Sequence, residues 1–144
     1  MILCFVYEVH IVNNCPTVLF VCVHNSGRSQ MAEAFFNLLA AGKFVSISAG
    51  TFPGESVNQL VVNAMEEVDI DISDNKPKLL TQDMLDGAQK VITMGCNVED
   101  ACPANMIITE DWGLDDPNGQ NLDTIRVIRN KIRNKVLAIL NEMM

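Results

Sequence analysis

The chain has 144 residues, 49% of them hydrophobic, with 10 Lys and Arg against 18 Asp and Glu for a formal net charge of −8. That length and apolar share suit one domain with a sizeable core rather than two, and the acidic balance would repel a polyanion, which sets nucleic acid aside as a partner. Five cysteines, at 4, 15, 22, 96 and 102, make an odd number, which argues against a fully paired disulfide scaffold and for reduced, reactive or exchanging thiols.

The opening MILCFVYEVHIV is apolar, but it carries neither a basic leader region nor an A-x-A-like cleavage site, and a bilayer needs roughly 20 residues to span it. A cytoplasmic location and no membrane partner are therefore expected. Residues 1–16, with Cys4 and Cys15, read as an N-terminal extension of unknown role, and 17–144 as a single domain.

Residues 17–22, TVLFVC, form a short β-branched and aromatic run bounded by Pro16 and by polar loop residues, the pattern of a buried strand. From Ser29 the apolar residues Met31, Ala32, Phe35, Leu38 and Leu39 recur at helical spacing and stop near Gly42. A second strand is expected over 44–50. A Pro-Gly turn follows, then a helix in which Ser56 and Gln59 stand as a capping box ahead of Leu60, Val61, Ala64, Met65 and Val68. A short helix is predicted from about Thr81 to Gly87, a third strand over 90–95 and a fourth over 105–109. The last helix starts near Asn121 and carries Ile125, Ile128, Ile132, Val136 and Ile139 on one stripe, with Arg126, Arg129, Lys131, Arg133 and Lys135 largely elsewhere. Strands alternating with amphipathic helices imply an α/β fold, a four-stranded parallel sheet between two helical layers, because parallel crossovers need helix-length connections.

In such sheets ligands gather at the carboxyl ends of the strands, and Cys22 stands at one of these ends. A short loop from a strand into a helix N-terminus points successive backbone N–H groups into one concavity, and the helix dipole adds positive charge there. Cys22 in that field favours its thiolate, while the planar guanidinium of Arg28 can hold two oxygens of a tetrahedral anion. The loop between them, Val23, His24, Asn25, Ser26 and Gly27, is the candidate anion cradle, with Ser29 closing it. Gly27 lets the backbone approach closely, and Ser26 and Ser29 are placed to hydrogen-bond the thiolate or the loop. His24 serves either anion attraction or loop packing.

The segment CVHNSGRSQMAE resembles the phosphate-binding loop of the low-molecular-weight protein tyrosine phosphatase fold, and its RSQMAE continuation is especially similar to the arsenate reductases built on that fold. The resemblance covers about residues 17–140. It implies Cys22 as nucleophile and, through the Asp-Pro pair of EDWGLDDPNG, Asp116 as general acid, with Asp115 the neighbour most easily confused with it. It also implies that Cys96 and Cys102, in VITMGCNVEDACP, are the resolving and shuttle thiols of a reductase relay. Their spacing is one residue shorter than in the best-known members and closer to the M-G-C…C-P pattern of relatives using a small thiol. The external reductant is thus either thioredoxin or a glutaredoxin-type partner with a low-molecular-weight thiol. Asn118 and Gly119 stand where phosphatases of this fold place tyrosines, which suits arsenate, with phosphate as a competing anion. Some reductases bind potassium beside the loop; Asn25 and Ser48 match two of its ligands, but the next segment reads NKPK, so Lys76 or Lys78 can replace the cation and no metal or tightly bound cofactor is expected. A phosphatase using Cys22, Arg28 and Asp116 alone, and a non-catalytic oxyanion or redox sensor, remain the alternatives.

Overall fold

The computed structural model describes the backbone of residues 5–7 and 10–12 and all atoms of 17–95 and 108–144. Strands β1 (Phe5–Tyr7) and β2 (His10–Val12) pair antiparallel with each other and form a sheet of their own. The rest is built from β3 (Thr17–Cys22), α1 (Arg28–Ala40), β4 (Val45–Gly50), α2 (Gln59–Glu66), α3 (Gln82–Gly87), β5 (Lys90–Thr93), β6 (Glu110–Asp111) and α4 (Leu122–Met143).

The second sheet has the order β4-β3-β5-β6, with every neighbouring pair parallel. The chain leaves β3 first toward β4 and later returns on the opposite side as β5, so the order reverses at β3, and the crevice above its carboxyl end is a ligand position by topology. β3 is buried along its whole length, as a strand covered on both faces must be. Val18, Phe20 and Cys22 face the core built with α1, α2 and α4, whereas Leu19 and Val21 face the smaller core around Met84 of α3. The two-residue period of the strand thus decides that Cys22 turns toward α1.

The last helix begins as expected: Asn121 Oδ1 accepts the Thr124 N–H at 2.8 Å, and Ile125, Ile128, Ile132, Val136 and Ile139 are buried. Arg129, expected away from that stripe, is instead only 9% exposed. Its Nη1 donates to Ala64 O and to Glu67 Oε1, each at 2.8 Å, tying α4 to the end of α2. Arg126 grips the same carboxylate from Nε and Nη2. Hydrogen bonding by Arg126, helped by Arg129, pulls Glu67 from its ordinary 4.5 down to about 2. A lowered folded value means stability that is present above about pH 4.5 and lost as pH falls toward 2. Thermal melting is expected to drop over that window, and Glu67→Gln to flatten the drop.

Three expected boundaries shift for local reasons. The capping residue of α2 is Asn58, not Ser56: its Oδ1 accepts the Leu60 N–H at 2.9 Å, while its own N–H donates to Ser26 O and residue 58 stays outside the helical conformation with ψ of 126°. β5 stops at Thr93 rather than at residue 95, because Gly95 turns out of the strand with φ of +106°. Of the fourth strand expected over 105–109, residues 105–107 lie outside the described residues, and β6 is Glu110–Asp111. Two carboxylates are poor strand formers, but Asp111 has a partner set of its own: Oδ1 accepts from Thr93 Oγ1 at 2.8 Å and from the Gly95 N–H at 2.7 Å. Among the described residues no helix is long and apolar enough to cross a membrane.

Candidate active site

Cys22 ends β3 and is 4% exposed. Its sulfur lies 2.8 Å from Ser29 Oγ and accepts the Asn25 N–H at 3.2 Å. Asn25 reaches that position by adopting a left-handed backbone with φ of +50°, which asparagine tolerates better than most residues. Its amide is held from both sides. Oδ1 accepts from Gln30 Nε2 and from the Lys78 N–H, each at 2.9 Å, so Nδ2 is turned to donate to Ser29 Oγ at 2.7 Å and Ser48 Oγ at 3.0 Å. With Ser29 accepting from Asn25, its own hydrogen is free to turn to the Cys22 sulfur. A thiolate at this position, which can only accept, would then have two donors.

Helix α1 starts from Gly27 with no side chain capping its first N–H groups and no acidic residue in its first turn, so those donors remain for an anion. Arg28 is fixed by one nitrogen: Nη1 donates to Met94 O at 2.9 Å and to Leu114 O at 2.8 Å. That orients the guanidinium plane and leaves Nε and Nη2 without a bond among the described residues. His24 Nδ1 lies 2.9 Å from Phe52 O. A carbonyl only accepts, so the Nδ1 nitrogen carries the hydrogen.

The acid loop is anchored by alternating residues. Trp112 and Leu114 are buried, the Trp112 ring packing against Phe20 of β3 at 5.5 Å between centroids and tilted by 48°, and Asp115 and Asp116 are exposed between them and Pro117. Pro117 sits on Gly27, where any Cβ would stand 2.7 Å from Pro117 Cγ. The glycine is therefore required by the contact that brings the Asp-Pro pair to the anion loop. Asp116 Oδ1 accepts the Asn118 N–H at 2.9 Å, which orients the carboxyl group. The result is a cavity of about 620 Å³ whose wall includes Cys22, His24, Arg28, Asp116, Asn118 and Gly119. Asp115 is not part of that wall.

The low molecular weight phosphotyrosine protein phosphatase model matches residues 17–144. The chain belongs to this family. Within it, the chain is 38% identical to arsenate reductase 1 of Bacillus cereus over 121 residues, 83% of this chain and 90% of that protein. It is 39% identical over 123 residues to a glutaredoxin arsenate reductase of Synechocystis, covering 83% of this chain and 92% of that one. A solved structure described as an arsenate reductase in the phosphate binding state superposes with a TM-score of 0.80 at 36% identity, covering 90% of this chain and 99% of that chain.

Of the loop residues singled out from sequence in this phosphatase-family chain, His24, Ser26, Gly27 and Arg28 line the cavity with Cys22 and Asp116. Asn25 and Ser29 stand behind the sulfur and support it. Val23 is half-buried and its carbonyl accepts the Phe52 N–H. Cys96 and Cys102, like Cys4 and Cys15, lie outside the described residues. Of the two lysines considered as cation substitutes, Lys78 is the one at Ser48: Nζ is 3.5 Å from Ser48 Oγ and 3.6 Å from Glu33 Oε2. Sequence reasoning missed Glu33 and Gln30. A fully buried glutamine in the first turn of α1 signals a polar network, because a buried amide must find partners, but burial is not visible in sequence.

Proposed function

We propose that this chain is a thiol-dependent arsenate reductase. The observation that carries this reading is its similarity, over most of its length, to proteins that are arsenate reductases. The cavity wall supports it: among the described residues it includes no Phe, Tyr or Trp to clamp a phenyl ring, and a small inorganic oxyanion needs none. We assign the reaction to residues 17–144, the stretch that the family model spans.

The Cys22 thiolate attacks arsenic while Arg28 and the loop N–H groups hold the remaining oxygens. Asp116 protonates the departing oxygen from Oδ2, and water leaves. The Cys96 thiolate then attacks the Cys22 sulfur. The sulfur–arsenic electron pair passes to arsenic, which departs as arsenite, two electrons reduced, and a Cys22–Cys96 disulfide remains. Cys102 exchanges into that disulfide, and an external dithiol or small thiol returns both electrons. A glutaredoxin-linked relative supports an external thiol as the source.

The test supplies arsenate with NADPH and either a thioredoxin system or a small thiol with glutaredoxin, and in parallel an aryl phosphate. Arsenate-dependent NADPH oxidation is expected under one thiol system. Cys96→Ser should abolish it, because the Cys22–arsenic adduct is then left without its resolving thiol, and full multiple turnover in that variant would remove the intramolecular relay. Rapid aryl phosphate hydrolysis without any reduction would favour the phosphatase reading that the family itself supplies.

The two aspartates give a second measurement in the same assay. Asp116→Asn is expected to lower kcat by about 10²–10³-fold, within the range for losing a general acid, while Asp115→Asn, outside the cavity wall, should change it little. Equal losses in both would remove the assignment of the acid to Asp116.

A further inference from the structure

Between Arg28 of the anion loop and Asp111 of β6 lies a single peptide unit. The Met94–Gly95 peptide is trans, so its carbonyl and its N–H point in opposite directions. Met94 O accepts from Arg28 Nη1 at 2.9 Å, and the Gly95 N–H donates to Asp111 Oδ1 at 2.7 Å. Guanidinium, peptide and carboxylate thus form one chain of hydrogen bonds with a charged group at each end, in which each bond polarises the next. An acceptor on the N–H makes the carbonyl a better acceptor in turn, and so strengthens the bond that orients Arg28.

The peptide is packed as well as bonded. Gly95 sits at φ of +106°, and a Cβ there would stand 3.0 Å from Leu114 O and 3.2 Å from Arg28 Nη1. The Met94 N–H is spent on Val21 O at 3.0 Å. Asp111 is seated by the strand pairing: it lies in register with Thr93, whose hydroxyl donates to the same Oδ1 at 2.8 Å. Asp111 is not part of the cavity wall, so its hold on a bound oxyanion runs through this peptide and Arg28.

We propose that Asp111 is a positioning residue for the anion site: it fixes the Met94–Gly95 peptide, and through it the plane in which Arg28 offers Nε and Nη2 to an oxyanion. The proposal rests on Arg28 being the anion clamp. Its readouts are phosphate binding and amide exchange, so it can fail while arsenate reduction holds, and hold while arsenate reduction fails.

The test is the affinity for inorganic phosphate by calorimetry. Asp111→Ala is expected to weaken binding about tenfold, as for a small misplacement of a site group. Asp111→Asn, which keeps an acceptor oxygen for Gly95, should recover most of that loss. Thr93→Val removes the other hydrogen bond to the same oxygen and leaves the Gly95 bond, and it should bind phosphate as the wild type does, whereas a role confined to strand pairing would make it as weak as Asp111→Ala. Linkage adds a readout in the unaltered chain, because a Gly95 bond that strengthens anion binding is strengthened by the anion in the same ratio. Hydrogen exchange at the Gly95 amide, followed by NMR, should therefore slow about tenfold when phosphate saturates the site. Wild-type affinity in a folded Asp111→Ala, or an equal loss in Thr93→Val, overturns the proposal. Should Asp111→Ala fail to fold, as judged by near-ultraviolet circular dichroism, a Gly95 amide whose exchange is the same with and without phosphate overturns it instead.

Discussion

Arsenate reduction by the proposed route is expected to fall to zero in Cys22→Ser. A serine hydroxyl at that place is a far weaker nucleophile than a thiolate supplied with two hydrogen-bond donors, and, more decisively, it can form no disulfide, so no electrons could reach arsenic even if an ester formed. The exchange is nearly isosteric in a site that is 4% exposed, and Ser29 and Asn25 can bond an oxygen as they bond sulfur. Folding and phosphate binding should therefore persist, since the loop N–H groups and Arg28 are untouched. The measurement is arsenate-dependent NADPH oxidation beside phosphate binding by calorimetry. Retained turnover would exclude Cys22 as the attacking group.

Arg28→Lys is expected to cost about 10²–10³-fold in kcat/KM, of the size seen when a preorganised donor to a developing oxyanion is lost. In the proposed reaction the guanidinium has two tasks for separate nitrogens. Nη1 bridges Met94 O and Leu114 O, joining the ends of β5 and of the acid loop, and the opposite edge of the fork is left for two anion oxygens. An ammonium is a point donor and cannot do both at once. The variant should also melt lower, because two carbonyls lose a charge-assisted partner. Unchanged kcat/KM in a folded Arg28→Lys would show that the loop N–H groups alone hold the anion.

Much of this architecture is legible in the sequence because period and composition are local. TVLFVC reads as a buried strand and is one, residue for residue. Asn121 and Thr81 read as helix starts and cap their helices through their side chains. The errors share a cause. Ser56 satisfies the capping pattern, but the cap falls at Asn58, whose N–H is taken by a tertiary hydrogen bond to Ser26 and whose backbone stays non-helical. Arg129 falls on the buried side of α4 because Glu67, distant in sequence, is there to receive it. The strand of Glu110 and Asp111 goes unrecognised because its carboxylate answers to Thr93 and Gly95 rather than to its own neighbours.

The sequence by itself determined that a thiol and a guanidinium stand six residues apart across a strand-to-helix loop, since strand period, loop length and helix start are all short-range properties. It also carried the Asp-Pro pair and the two further cysteines of the proposed relay. Only the tertiary structure decided which aspartate lines the cavity, through the seat that Gly27 offers Pro117, and where the anion loop is braced from behind. Glu33, Ser48 and Lys78 lie on α1, on β4 and in the stretch after α2, and a buried charge finds its partner only when those three segments have packed together. Chain order shows which groups are available for chemistry. Packing decides which of them meet, because hydrogen bonds and ion pairs act over a few ångströms of space whatever their separation along the chain.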